Sequence, residues 1–164
     1  MEEVVLVDEK DKVLGMMEKI EAHEKGLLHR AFSILIFNKK GELLLQKRAQ
    51  EKYHCGGLWT NTVCSHPRAG ESYEDGARRR LKEEMGFGSS LKKKYCFIYK
   101  KKFDNGLTEH EYDCVFEGIH DGEINFDLKE IDKIRWVKIT DLTKDIAKNP
   151  KSYTEWFKQI IEKY

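Results

Sequence analysis

The sequence predicts an α+β protein, a layered α/β/α arrangement around a mixed β-sheet. Three observations predict it: a succession of short β-rich runs, one strong amphipathic helix near the middle, and two helical patterns at the end. At 164 residues the chain has the size of one domain with one sizeable core. Residues 1–164 read as a single unit, with no internal repeat or low-complexity linker.

Taken in order, Val4–Val7 and Val13–Met16 are β-rich and flank the charged turn Asp8–Lys12. Lys19 to Glu24 is a short helix ending near Gly26. Arg30–Phe37 and Glu42–Arg48 form a hairpin about Asn38-Lys39-Lys40-Gly41. Gly56-Gly57 breaks the chain before a strand at Trp59–Val63. The clearest helix is Ser72 to Met85. Ser72 serves as N-cap with Asp75 three residues on, Tyr73, Ala77, Leu81 and Met85 recur on one face, and Gly86 closes the helix. Tyr95–Phe103 and Leu107–Gly118 flank the turn Asp104-Asn105-Gly106. Ile134–Ile139 is a strand, and Thr140–Asn149 a helix stopped by Pro150. Thr154–Tyr164 ends the chain with Trp156, Phe157, Ile160, Ile161 and Tyr164 at helical spacing.

Composition narrows the function. Lys and Arg number 30 against 29 Asp and Glu, which excludes a broadly basic nucleic-acid binder but leaves room for a local basic pocket. The longest mainly apolar run, Ala31 to Phe37, is too short to cross a membrane, and Glu2 and Glu3 open the chain where a secretory signal would be basic. Cys55, Cys64, Cys96 and Cys114 show no C-x-x-C spacing, so free thiols in a reducing cytoplasm are expected.

The densest chemical segment is Trp59-Thr60-Asn61-Thr62-Val63-Cys64-Ser65-His66-Pro67, where a thiol and an imidazole two apart share one face of an extended chain. A buried Cys beside a surface His is the plain alternative. Glu109 and Glu111 likewise share one face of a strand. With His23 and His29 they offer three imidazoles and two carboxylates, a mixed set that does not choose between Zn²⁺ and Mg²⁺ or Mn²⁺.

The segment Ser65–Phe87 resembles the Nudix box, G-x5-E-x7-R-E-U-x-E-E-x-G-U with U a bulky apolar residue: Glu71, Arg79, Glu83, Glu84 and Gly86 fall in place. Ser65 replaces the leading Gly, and Arg80 replaces the Glu that in a hydrolase helps bind metal or activate water. A guanidinium there suits phosphate oxygens, so the helix keeps a diphosphate site while losing hydrolytic equipment. An ordinary helix with an Arg80–Glu84 pair at i,i+4 is the alternative.

Joined together, Glu18-Lys19 with His23, Leu28-His29-Arg30-Ala31-Phe32-Ser33, Gln46-Lys47-Arg48-Ala49, the T-N-x-x-C-x-H-P segment, Gly70-Glu71-Ser72, Phe97-Ile98-Tyr99, Glu109-His110-Glu111 and Trp156 resemble the type 1 isopentenyl-diphosphate isomerases of the Nudix superfamily. The resemblance implies a Nudix-like fold and interconversion of isopentenyl and dimethylallyl diphosphate, in isoprenoid biosynthesis, through a tertiary carbocation. It implies one divalent metal (Mn²⁺, Mg²⁺ or Zn²⁺) on His23, His29, His66, Glu109 and Glu111. A second, Mg²⁺, bridges to the diphosphate near Glu84 and the backbone carbonyl of Cys64. Lys19, Arg48, Lys52 and Arg80 would hold the diphosphate. Cys64 would face Glu111 and Tyr99 across the substrate, with Glu111 protonating and Cys64 as base in the isopentenyl-to-dimethylallyl direction. Trp156 would shield the cation, though its apolar stripe also fits plain helix core. His54-Cys55-Gly56-Gly57 departs from the family's turn, and no role falls to Cys55. The implied partner is a small-molecule prenyl diphosphate, without nucleic acid or membrane, acting on a cytoplasmic monomer. A Nudix-type hydrolase and a non-catalytic metal-binding module are the competing classes. The first predicts phosphate release; the second predicts metal without turnover and no need for Cys64, Tyr99 and Glu111 together.

Overall fold

The computed structural model describes residues 2–52 and 54–164. Nine strands form one mixed sheet: β1 Glu3–Val7, β2 Val13–Glu18, β3 His29–Phe37, β4 Leu43–Arg48, β5 Trp59–Thr60, β6 Val63–Ser65, β7 Lys92–Lys102, β8 Thr108–Ile119 and β9 Ile131–Val137. The helices are α1 Lys19–Lys25, α2 Tyr73–Met85, α3 Ile139–Lys148 and α4 Glu155–Ile161. All pairings are antiparallel except β3 with β8, which run parallel with His29 opposite Glu111.

The two faces of β3 show why the protein is layered. Phe32, Ile34 and Ile36 alternate onto one face and pack under α2 with Ala77, Leu81 and Met85. Leu35 points the other way, into a core with Leu142 of α3 and Trp156, Phe157 and Ile160 of α4. Helix α2 lies close on the sheet because Gly76 has no side chain: a Cβ there would sit 3.1 Å from Phe32 Cε2 and 3.3 Å from Pro67 Cα. Ser72 Oγ accepts from Asp75 N at 3.0 Å, so the N-cap forms through Ser72. At the other end Gly86 takes φ 74.

Several expectations are corrected. The strand at Trp59–Val63 is two short strands, because Asn61 and Thr62 turn inward. Thr62 Oγ1 donates to Leu44 O at 2.7 Å and accepts from Ile36 N at 2.9 Å. Those side-chain bonds replace ladder bonds. The strand at Ile134 begins earlier, at Ile131, where pairing with Arg48 extends it. Pro150 opens a short 3-10 turn, Pro150–Ser152, rather than only stopping α3. The last helix ends at Ile161, and Tyr164 is 40% exposed with its hydroxyl on Glu117. Cys96 and Cys114 are not free: they stand opposite each other on β7 and β8, 4.0 Å apart at Cα, and form a disulfide. Sequence spacing cannot see a cross-strand pairing. Cys55 and Cys64 are free thiols. No helix among the described residues is long and apolar enough to cross a membrane.

Candidate active site

Four elements deliver buried imidazoles and carboxylates to one end of the sheet. Helix α1 carries His23, the first residue of β3 is His29, His66 follows β6, and β8 carries Glu109 and Glu111. Ring centroids lie 5.0 Å apart for His23–His29 and 5.1 Å for His29–His66. His23 Nδ1 lies 2.7 Å from Lys19 O and His29 Nδ1 2.9 Å from Leu27 O. A carbonyl only accepts, so both Nδ1 atoms carry the proton and both Nε2 atoms present a lone pair. His29 Nε2 is buried with no hydrogen-bond partner among the described residues, 3.7 Å from Glu111 Oε2, and His66 Nε2 lies 3.1 Å from the same oxygen. One donor atom from each of His23, His29, His66 and Glu111 fits within a 4.8 Å group. That donor set, with an orphaned buried nitrogen, suits a divalent metal ion.

Glu109 stands outside this group. It forms a second one with His23 and His54, and His54 Nε2 lies 2.6 Å from Glu109 Oε2. Glu84 and Cys64 belong to neither group. Glu84 is 4% exposed and engaged by Gln46 Nε2 at 3.1 Å and Arg80 Nε at 2.9 Å, so the Arg80–Glu84 pair exists but is no surface pair.

The electrostatics divide the two strand carboxylates. Burial opposes charge on Glu111, yet His29 and His66 outweigh it and hold the carboxyl well below its usual range. Burial, then the charge of Glu111, pushes Glu109 well above its own. Burial pushes the Cys64 thiol up to about 12, so it keeps its proton at neutral pH. The Tyr99 phenol is raised by burial, then by Glu109 ahead of Glu111, although Glu111 is its register partner on β8.

Above the donors lies a cavity of about 150 Å³. Cys64, His66, Glu109, Glu111, Trp156 and all four expected diphosphate residues, Lys19, Arg48, Lys52 and Arg80, line it. Arg68 and Arg79 also line it and were not singled out for binding by the sequence. Each of three cations has a carboxylate partner: Lys19 on Glu2 at 2.9 Å, Lys52 on Glu130, and Arg80 on Glu84.

Asn61 ties together the cavity wall that carries Cys64 and Trp156. Its Oδ1 accepts from Cys64 Sγ at 3.1 Å, Thr60 Oγ1 at 3.0 Å and Trp156 Nε1 at 3.2 Å, while Nδ2 donates to Ile34 O and Val63 O. Trp156 Nε1 also donates to Cys64 Sγ at 3.0 Å. Trp156 is therefore both helix core and cavity wall. Sequence reasoning placed Asn61 in the motif without a role and passed over His54 and the buried Asp113, which accepts from Ser33 Oγ at 2.8 Å. Their single signal was polarity at a strand or loop position, which is too common to select them.

Acid should loosen this site in the metal-stripped protein. Burial first of all pushes His23 and His54 down to about 4, whereas an unfolded imidazole titrates near 6.5. Between about pH 6.5 and 4 the unfolded chain binds the additional protons, so stability falls as pH falls through that window and levels off below it. Melting temperature against pH checks this; a flat curve from pH 7 to 5 refutes it.

Comparison with known proteins follows the same lines. Residues 27–157 match the NUDIX domain family. The chain is 49% identical over 162 residues to isopentenyl-diphosphate Delta-isomerase 2 of Aromatoleum aromaticum, covering 99% of this chain and 86% of that one. It is 52% identical to isopentenyl-diphosphate Delta-isomerase 2 of Photorhabdus laumondii, covering 98% and 92%. In fold it is similar to a crystal structure from Deinococcus radiodurans, with TM-score 0.82, 21% identity and 99% and 98% coverage.

Proposed function

The chain belongs to the isopentenyl-diphosphate Delta-isomerases of the NUDIX domain family, and on that premise we propose that its cavity interconverts isopentenyl and dimethylallyl diphosphate. The observation that carries the reading is one small cavity lined at once by a thiol, buried carboxylates, an indole and six cationic side chains.

The diphosphate lies toward Lys19, Arg48, Lys52 and Arg80, and the five-carbon chain lies between Cys64 and Glu111. A proton added to the terminal alkene carbon leaves a tertiary cation; loss of a proton from the neighbouring methylene completes the shift of the double bond. One group gives the first proton and the opposite group takes the second, exchanging roles with direction. Tyr99 backs the carboxylate side. The Trp156 indole, anchored through Nε1 to Cys64 and Asn61, offers its face to the cation, a gain of about 0.5–2 kcal/mol. Enclosure keeps water from trapping the cation as an alcohol.

His23, His29, His66 and Glu111, joined by Glu109, would hold a divalent ion (Mn²⁺, Mg²⁺ or Zn²⁺), and Glu84 with the Cys64 carbonyl would hold a Mg²⁺; bound, these ions would supply positive charge to the carboxylates and the diphosphate. Hydrolysis is disfavoured because Arg80 stands where a hydrolase has a carboxylate and is itself paired to Glu84.

A proton-exchange or product-trapping assay with and without Mg²⁺ tests the reading. Conversion is expected with Mg²⁺ and none after chelation. Chelation should also lower the melting temperature by about 5–10 °C, the linkage of an ion held at a hundred times its dissociation constant. Phosphate release from nucleoside diphosphate derivatives, without prenyl isomerisation, would favour the hydrolase instead.

A further inference from the structure

Asn61 Oδ1 is the acceptor on which the Cys64 thiol and the Trp156 indole meet, and two buried hydroxyls stand behind it. The amide sets the direction of every proton there. Its Nδ2 donates to Ile34 O at 3.1 Å and to Val63 O at 2.8 Å. Carbonyl oxygens only accept, so the amide nitrogen faces them and Oδ1 faces the thiol. Thr60 Oγ1, 3.0 Å away, therefore gives its one proton to Oδ1. The contact from Thr60 Oγ1 to Thr154 Oγ1, 2.8 Å long, then has a fixed sense: Thr60 accepts and Thr154 donates. A chain of donors runs from Thr154 through Thr60 to Asn61, and the Cys64 S–H enters the same oxygen at 3.1 Å.

Thr154 forgoes an ordinary role to join this chain. It is the N-cap of α4, with extended backbone at φ −67 and ψ 150, yet its side chain makes no cap hydrogen bond. A Thr at that position commonly accepts from the first turn of its own helix. Docking of α4 does not need the hydroxyl, because Thr154 N donates to Trp59 O at 3.1 Å and Phe157 and Ile160 are buried in the core. Thr60, Asn61 and Thr154 are all fully enclosed, at 1%, 0% and 0% exposed. The two hydroxyls thus tie the start of the helix that carries Trp156 to the segment that carries Cys64.

We propose that Thr60 and Thr154 are positioning residues for Cys64: through Asn61 Oδ1 they fix the sulfur beside the Trp156 indole, whose Nε1 donates to Sγ at 3.0 Å. The proposal rests on Cys64 moving a proton in the isomerisation proposed above. A proton-transfer group works only within close reach of the reacting atom, and a displacement on the order of 1 Å costs about 100-fold in rate.

The test is kcat and KM for isopentenyl diphosphate with Mg²⁺, beside the melting temperature, in wild type, Cys64→Ala, Thr60→Val, Thr60→Ser, Thr154→Val and the double variant of Thr60→Val with Thr154→Val. Thr60→Val keeps the shape without the hydroxyl and is expected to lower kcat by about 10–100-fold. KM should hold, since the side chains around the diphosphate are untouched. Thr60→Ser keeps the hydroxyl without the methyl and should recover most of the lost kcat. A packing role alone would reverse that order, since Val fills the space better than Ser. Thr154→Val should lower kcat less, and the double variant should be no slower than Thr60→Val, because Thr154 acts only through Thr60. Losses that multiply overturn the chain. Wild-type kcat in Thr60→Val beside an inactive Cys64→Ala overturns the proposal and leaves the function standing. Undiminished turnover in Cys64→Ala, or none in wild type, overturns the functional reading and the proposal with it. Should Thr60→Val not fold, Thr154→Val against Thr154→Ser carries the same expectation.

Discussion

Replacing Cys64 with Ala is expected to lower isomerase turnover by about 10⁴-fold, the upper end of what one positioned proton-transfer group supplies. The thiol stands on the cavity wall. Asn61 Oδ1 offers no proton. The fold should survive, because the donor that loses the sulfur, Trp156 Nε1, still has Asn61 Oδ1 at 3.2 Å. The deleted sulfur leaves a small void costing about 1 kcal/mol. Single-turnover conversion of isopentenyl diphosphate, with circular dichroism as the control, reads both outcomes. Turnover within tenfold of wild type would remove Cys64 from the chemistry.

Glu111→Gln should be as damaging, by two routes. Glu111 is the carboxylate that His29 and His66 keep ionised. It is also the only carboxylate within the four-residue donor group. An amide of the same shape removes the negative charge that the donor group would present to a cation. Metal affinity should fall by at least 100-fold, as for loss of a ligand and more than for loss of its partner. Turnover should vanish even at saturating Mg²⁺, because an amide neither gives nor takes the proton. Metal content per chain separates the routes from each other. A variant that keeps both its metal and its turnover would refute the assignment.

Much of the site was legible in one dimension. Helix α2 announced itself through Tyr73, Ala77, Leu81 and Met85, all of which are buried. The turn at Asp104-Asn105-Gly106 placed the β7–β8 hairpin. Alternation along β8 put Glu109 and Glu111 on one face, and the motif around Cys64 supplied residues that line the cavity. These signals are local: a residue's periodicity or its cap depends on neighbours a few positions away.

Other features depend on segments far apart in the chain. Glu109 left the expected five-residue donor set because a loop some 55 residues earlier brings His54 against it. Glu84 is engaged by Gln46 of β4 and by Arg80, and nothing in the box around it foretells Gln46. Cys96 and Cys114 bond because the hairpin register sets them face to face.

By itself, then, the sequence determined the kinds of donor side chain this protein carries, the element each rides on, and the Arg80 at which it departs from the Nudix box. Only the tertiary structure decided which donors share a volume and which nitrogens hold the protons. The parallel pairing of β3 with β8 places His29 across from Glu111, and there His29 and His66 outweigh burial and hold that carboxyl well below its usual range. Strand register and desolvation are properties of the whole packed chain, and no local pattern of residues encodes them.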